Sequence, residues 1–142
     1  MKKNITIFTP TYNRAYCLKR LYDSLCQQTC KSFEWLVVDD GSNDNTRELI
    51  DSWIKEGKIE IRYLYQENSG KSMAHNEGVR QTQTELFFCV DSDDMLTPNA
   101  IEIIQLEWSK TTESNTGLLL QKIDIDSNIV VTKIPAGLKE ST

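Results

Sequence analysis

The run Leu86-Phe87-Phe88-Cys89-Val90, which stops abruptly at Asp91-Ser92-Asp93-Asp94, restricts the fold of this chain more than any other feature. Five consecutive apolar residues bounded by a polar turn read as a buried strand. Three carboxylates within four residues at its end have no folding purpose of their own. Like charges packed so closely raise one another's pKa unless a cation or donor groups lie between them. Oxygen-rich clusters suit hard divalent ions such as Mg2+ or Mn2+, and α/β sheets bind ligands at the carboxyl ends of their strands. A solvated acidic turn that caps the next helix is the alternative, since Asp and Ser favour such places.

Phe33-Glu34-Trp35-Leu36-Val37-Val38 reads as a second buried strand and also ends in carboxylates, at Asp39-Asp40-Gly41-Ser42. The first strand, Ile5-Thr6-Ile7-Phe8, runs instead into Thr9-Pro10-Thr11-Tyr12-Asn13-Arg14, which offers hydroxyls, an aromatic face and a guanidinium. Parallel strands delivering these turns to one edge build a single pocket. It would hold a stacking surface for a base, acceptors for its N–H groups and a metal that bridges phosphates. That chemistry points to a nucleotide site.

Between the strands lie helical stripes. Leu18, Leu21, Tyr22 and Leu25 recur at i, i+3, i+4 and i+7. Leu49, Ile50, Trp53 and Ile54 form the inner face of a helix capped by Asp44 or Asn45 and ended by Gly57. Ile59, Ile61, Tyr63 and Tyr65 alternate with polar residues as a strand with one wetter face. Residues 71–82 read as a polar helix, and Thr97-Pro98 opens another with Ile101, Ile104, Leu106 and Trp108 apolar. Strand-like pieces at Leu118–Ile125 and Ile129–Ile134 follow. Strands alternating with helices predict a doubly wound, mainly parallel α/β sheet flanked by helices.

Composition removes several classes of function. A chain of 142 residues is one domain by length. A net charge of −5 argues against a nucleic-acid binder, which shows a basic face. The single histidine, His75, argues against a His-based zinc site or a Ser-His-Asp triad. Cys17, Cys26, Cys30 and Cys89 match no zinc ligand spacing and read as reduced thiols, Cys89 within a core strand. The short apolar run after Lys2 and Lys3 is no signal peptide. Nothing approaches the ~20 apolar residues of a membrane span. The expected location is cytoplasmic, or peripheral at the inner face of a membrane. Gly70-Lys71-Ser72 resembles the end of a P-loop, but position 65 is Tyr where that motif needs glycine.

Taken in order, four segments resemble glycosyltransferase family 2, the large GT-A group of nucleotide-sugar transferases. They are Thr9-Pro10-Thr11-Tyr12-Asn13-Arg14; Val38-Asp39-Asp40-Gly41-Ser42; Asn68-Ser69-Gly70 with Ala74, Asn76 and Gly78; and Asp91-Ser92-Asp93-Asp94. Any one alone is common by chance, whereas four in this order are specific. The resemblance implies a Rossmann-like GT-A domain over residues 1–142, truncated on its C-terminal, acceptor side. It implies a nucleotide-diphospho sugar donor, UDP-linked, and a Mn2+ or Mg2+ cofactor. Transfer would proceed with inversion to a glycan or lipid-linked acceptor, as in polysaccharide synthesis.

The resemblance also assigns roles. Thr9, Pro10, Thr11, Tyr12 and Arg14 would border the nucleotide, with the Tyr12 ring against the base. Asp40 would accept a base N–H while Asp39 orients the turn or the ribose. Gly70 would open a helix facing the diphosphate, with Lys71 adding charge and Asn76 and Gly78 shaping its back. Asp91 would reach ribose or metal, Asp93 would be the main metal ligand, and Asp94 would compete for that role. His75 stands where many relatives carry Arg. The catalytic base is expected outside or late in this chain, since Glu102, Glu107, Glu113, Asp124 and Asp126 have no recognisable context. Rival readings are a catalytically silent nucleotide-binding module, a sugar nucleotidyltransferase, or an α/β interaction domain. Nucleotidyltransferases carry a glycine-rich turn after the first strand, and Thr9–Arg14 has no glycine.

Overall fold

Side chains alternate in direction along a strand. Because β1 (Ile5–Thr11) is buried throughout and β2 (Phe33–Asp39) nearly so, each needs cover on both faces. The computed structural model, which describes residues 4–109, 117–121 and 130–134, supplies it. β1 and β2 are the inner strands of an all-parallel sheet of order β3-β2-β1-β4, flanked by β3 (Glu60–Tyr65) and β4 (Leu86–Cys89). Ile5, Ile7, Phe33, Trp35 and Val37 join a core with α1 (Ala15–Cys26), α2 (Thr46–Glu56) and α4 (Ala100–Ser109). Phe8, Leu36 and Val38 form a second, smaller core with Ala74 of α3 (Lys71–Gln81). This is the doubly wound sheet that the alternating elements predict.

Each core has a distinctive centre. In the larger one Tyr22 and Trp53 stack nearly parallel, with ring centroids 4.2 Å apart, and Trp35 lies 6.1 Å from Trp53. In the smaller one α3 approaches the sheet so closely that a Cβ on Gly78 would lie 2.3 Å from Cε1 of Phe8. His75 stands edge-on to Phe8 and Phe87, at centroid distances of 5.6 and 5.7 Å. It therefore packs against both rings of the smaller core.

Three expectations need correction. The run at Leu86–Val90 reads as a core strand, yet β4 is the last strand of the sheet among the described residues, its apolar side chains are half-buried, and Cys89 is exposed. Apolar composition does not distinguish an inner strand from an outer one. Helix α4 starts at Ala100 rather than at Thr97-Pro98, because the Thr97 carbonyl accepts the Ala100 N–H in a preceding turn. The last strand-like pieces are an antiparallel pair, β5 (Gly117–Gln121) and β6 (Val130–Ile134), in a sheet of their own; 122–125 and 129 lie outside the described residues. Among the described residues no helix is long and apolar enough to cross a membrane.

Candidate functional site

The strand order sets the site. From β1 the chain steps outward to β2 and β3, then returns through α3 to β4 on the other side of β1. Connections diverge at the carboxyl end of β1, where open α/β sheets place their ligands. A cavity of about 540 Å³ lies there, within the range of small-molecule sites. Pro10, Thr11, Tyr12 and Arg14 line it from the end of β1 and the turn beyond, and Asp40 from the turn after β2. Asn68, Gly70, Lys71 and Ala74 line it from α3 and its approach, and Asp91, Ser92 and Asp93 from the turn after β4.

The turns around this cavity are fastened to one another. Asn13, held at φ 53°, donates its N–H to Ser42 Oγ (2.8 Å) and accepts the Asn43 N–H on Oδ1 (2.7 Å). Asp44 Oδ2 accepts the Ala15 N–H at 3.1 Å, and Asp44 Oδ1 accepts the N–H (3.1 Å) and hydroxyl (2.5 Å) of Thr46. One carboxylate thus caps the first turns of both α1 and α2. Burial opposes its charge, but these bonds outweigh burial and hold the Asp44 carboxyl below its ordinary range.

Asp39 and Asp40 organise the centre. Asp39 is buried, accepting the Ser42 N–H (2.9 Å) on Oδ1 and the Tyr63 hydroxyl (2.5 Å) on Oδ2. It orients the turn, one of its two expected roles, and does not line the cavity. Asp40 Oδ1 accepts Gln66 Nε2 (2.8 Å) and the Ser69 N–H (2.8 Å), while Oδ2 accepts the Gly70 N–H (2.9 Å). Burial works against the anion, yet these donors prevail and keep the carboxyl below its ordinary range. Asp40 lines the cavity, and a carboxylate with about four acceptor sites on its two oxygens keeps room beside these donors for the expected base N–H. Gly41 permits the close approach, since at φ 91° a Cβ there would lie 2.8 Å from the Asn68 nitrogen.

Other candidates divide between cavity and core. Thr9 is buried and its Oγ1 accepts Trp35 Nε1 at 2.9 Å, so its hydroxyl serves the core. Thr11 Oγ1 is buried at the cavity wall with no hydrogen-bond partner among the described residues. Tyr12 is 45% exposed, which rules out an ordinary core tyrosine. Lys71 Nζ lies 3.3 Å from Asp91 Oδ1 in a largely exposed pair, a weak bond that phosphate could replace. Asn76 is exposed and lines no part of the cavity. Ligand atoms of Asp91, Asp93 and Asp94 lie within 4.8 Å of one another. An ion bonded to oxygen at ~2.1 Å holds opposite ligands ~4.2 Å apart, so small rotations would bring the trio onto a hard cation.

Three lining residues, Asn68, Ala74 and Ser92, carry no role from the sequence. Asn68 belongs to a recognised motif, and its Nδ2 donates to the Asp40 carbonyl at 3.0 Å. Ser92 sits buried between two acidic residues, and only the motif around it marks it. Of the possible bases, Glu102 accepts the Thr29 hydroxyl at 2.8 Å and, like Glu107, is not in the cavity wall. Glu113, Asp124 and Asp126 lie outside the described residues.

A parallel sheet in this order, with an acidic turn after β4 facing a helix N-terminus across a cleft, defines the GT-A class. The sequence profile of glycosyl transferase family 2 matches residues 6–134, and the chain belongs to that family. It is 29% identical over 126 residues to the poly(ribitol-phosphate) beta-N-acetylglucosaminyltransferase TarP of Staphylococcus aureus, covering 87% of this chain and 38% of that protein. It is 34% identical over 105 residues to the glycosyltransferase GlyG of Streptococcus pneumoniae, covering 73% of this chain and 35% of that one. The structure of S. aureus TarS matches with TM-score 0.75 and 26% identity, over 90% of this chain and 23% of TarS. TarS 1-349 in complex with UDP-GlcNAc matches with TM-score 0.68 and 28% identity, over 78% and 32%. The chain thus spans well under half the length of these proteins.

Proposed function

We propose that this chain is the donor-binding part of an inverting glycosyltransferase that uses a UDP-linked sugar and a divalent metal, Mn2+ or Mg2+. The acceptor would be a glycan or a lipid-linked saccharide. One observation carries the reading: Tyr12, Lys71 at the start of α3, and the acidic turn converge on one cavity. The UDP-GlcNAc complex of TarS and the name of TarP support the choice of nucleotide.

The residues divide the work by chemistry. The exposed Tyr12 ring offers a face to the base, and Pro10 and Thr11 wall the cavity beside it. The N-terminus of α3 carries partial positive charge that favours a diphosphate. Lys71 would exchange Asp91 for phosphate, freeing that carboxylate. Asp93, with Asp91 and Asp94, would hold the metal, whose charge offsets that of the leaving diphosphate. Asp40 keeps the 66–70 loop in place behind them. Removal of the acceptor's proton is assigned to a group outside the described residues.

Calorimetric titration with UDP, GDP and CDP, with Mn2+ and again with EDTA, tests this. Binding of UDP that needs the metal and is lost in Asp93→Ala is the expected result. Binding that ignores EDTA and Asp93→Ala would remove the metal from the reading. No binding of any diphosphate would overturn the donor site. Transfer to an acceptor by this chain alone, undiminished in Glu113→Gln, Asp124→Asn and Asp126→Asn, would overturn the placement of the base.

A further inference from the structure

We infer that Arg20, Ser24 and Gln28 form a polar ladder along α1 that positions the acidic turn; its bearing on metal binding rests on the reading above. The three residues are spaced four apart and so align along one side of the helix and its exit. Each bonds to a successive part of the segment between β4 and α4. Arg20 Nη2 donates to the carbonyl of Asp93 at 2.7 Å. Ser24 Oγ accepts the Leu96 N–H at 3.1 Å. Gln28 Nε2 donates to the Thr97 carbonyl at 2.7 Å, and Oε1 accepts the Ile101 N–H at 3.0 Å. The Thr29 N–H then bonds the Pro98 carbonyl at 2.9 Å.

The segment it grips lies outside helix and sheet, and its own turns engage only some of its backbone groups, among them the Asp94 N–H and the Thr97 carbonyl, so the rest need other partners. Ser24 and Gln28 are buried beside Leu21 and Leu25 on the core side of α1, where apolar residues would pack without polar obligations. Their polar atoms instead fix one stretch of chain, and the first residue in that grip is Asp93. Arg20 is exposed and does not line the cavity, so it is placed to hold the turn without touching a nucleotide.

Charge and position make opposite demands on Arg20, which allows a test by sign. A cation beside a metal site repels the metal, so removing it as a charge alone would tighten Mn2+ binding. Removing it as a positioning residue would weaken binding, by ~10-fold or more on the scale of groups that support metal ligands. In the 142-residue chain, wild type, Arg20→Ala and Arg20→Lys would be compared by Mn2+ titration followed by electron paramagnetic resonance. Amide hydrogen exchange over 91–97 and thermal unfolding would be measured beside it.

The expected result for Arg20→Ala is faster exchange confined to that turn, Mn2+ affinity lowered ~10-fold, and a Tm within ~2 °C of wild type. Arg20→Lys should recover part of both losses. Unchanged exchange, or tighter Mn2+ binding, would overturn the inference. A wild-type chain that holds no Mn2+ would sink the metal reading and the ladder's bearing on it. The exchange data would still decide whether the ladder holds the turn.

Discussion

Replacing Gly78 with Ala sets two effects of known size against each other. In an exposed helix the change stabilises by ~1 kcal/mol, because Gly is the weaker helix former. At this position the new Cβ would fall 2.3, 2.5 and 2.8 Å from Cε1, Cδ1 and Cζ of Phe8, against an ordinary carbon contact of ~3.5 Å. Phe8 cannot retreat: it is fully buried on an inner strand, stacked 5.3 Å from Phe87 and met edge-on by His75. Either the ring leaves its rotamer or α3 lifts by roughly 1 Å. Overpacking of this kind costs ~1–3 kcal/mol, and so close an approach belongs at the upper end. The net expectation is a loss of ~2 kcal/mol, or ~4–8 °C in Tm.

Urea unfolding followed by circular dichroism would measure the loss. Calorimetry with UDP and Mn2+ would register the movement of Gly70 and Lys71 as weaker binding. Adding Phe8→Leu to Gly78→Ala should recover part of the stability, a coupling that independent sites would not show. A Gly78→Ala protein more stable than wild type by the propensity gain alone would refute the seating of α3 on Phe8.

Three other outcomes follow from the site. Thr9→Val should cost ~1–3 kcal/mol by stranding the Trp35 indole N–H, with UDP affinity unchanged; weaker UDP binding without loss of stability would return Thr9 to the pocket. Asp40→Asn turns a donor toward the N–H groups of the 66–70 loop and should weaken nucleotide binding ~10-fold or more. Faster exchange of the Ser69 and Gly70 amides should accompany it, and unaltered exchange would point back to a base contact. Asp44 has a lowered carboxyl pKa in the fold, so its contribution is present above the unfolded value of ~3.9 and lost as pH falls through the folded value. The gap in urea midpoint between wild type and Asp44→Asn should therefore close at low pH; a gap constant down to pH ~2.5 would contradict the cap.

Much of this architecture is legible in the sequence because periodicity and burial have the same cause. The Leu18–Leu25 stripe, the apolar β1 and β2, and Gly57 after α2 all carry signals that neighbours reinforce. The three strand ends are equally plain, since acidic residues after apolar runs have few uses. What stays hidden is direction and partnership. Thr9 and Thr11 are two apart on one strand, yet one hydroxyl serves an indole in the core and the other is buried without a hydrogen-bond partner among the described residues. Asp40 is visible as a carboxylate, but its three donors lie 26 to 30 residues further on. Ser24 and Gln28 could have been noticed as polar residues beside a leucine stripe, though nothing in their spacing names the segment they hold. The half-buried state of β4 depends on what packs around it, and an apolar run does not record that.

The stacked Tyr22, Trp53 and Trp35 also decide how this protein can be watched. Both indoles lie in the layer beneath α1 and α2, away from the cavity wall, and their near-parallel rings exchange excitation readily. Emission from these two indoles should therefore follow the opening of that layer and stay almost silent when a nucleotide enters, while the half-buried Trp108 of α4 adds a separate signal. Light emitted by Trp35 and Trp53 is a gauge of folding, and a separate optical label near Tyr12 is needed to see binding.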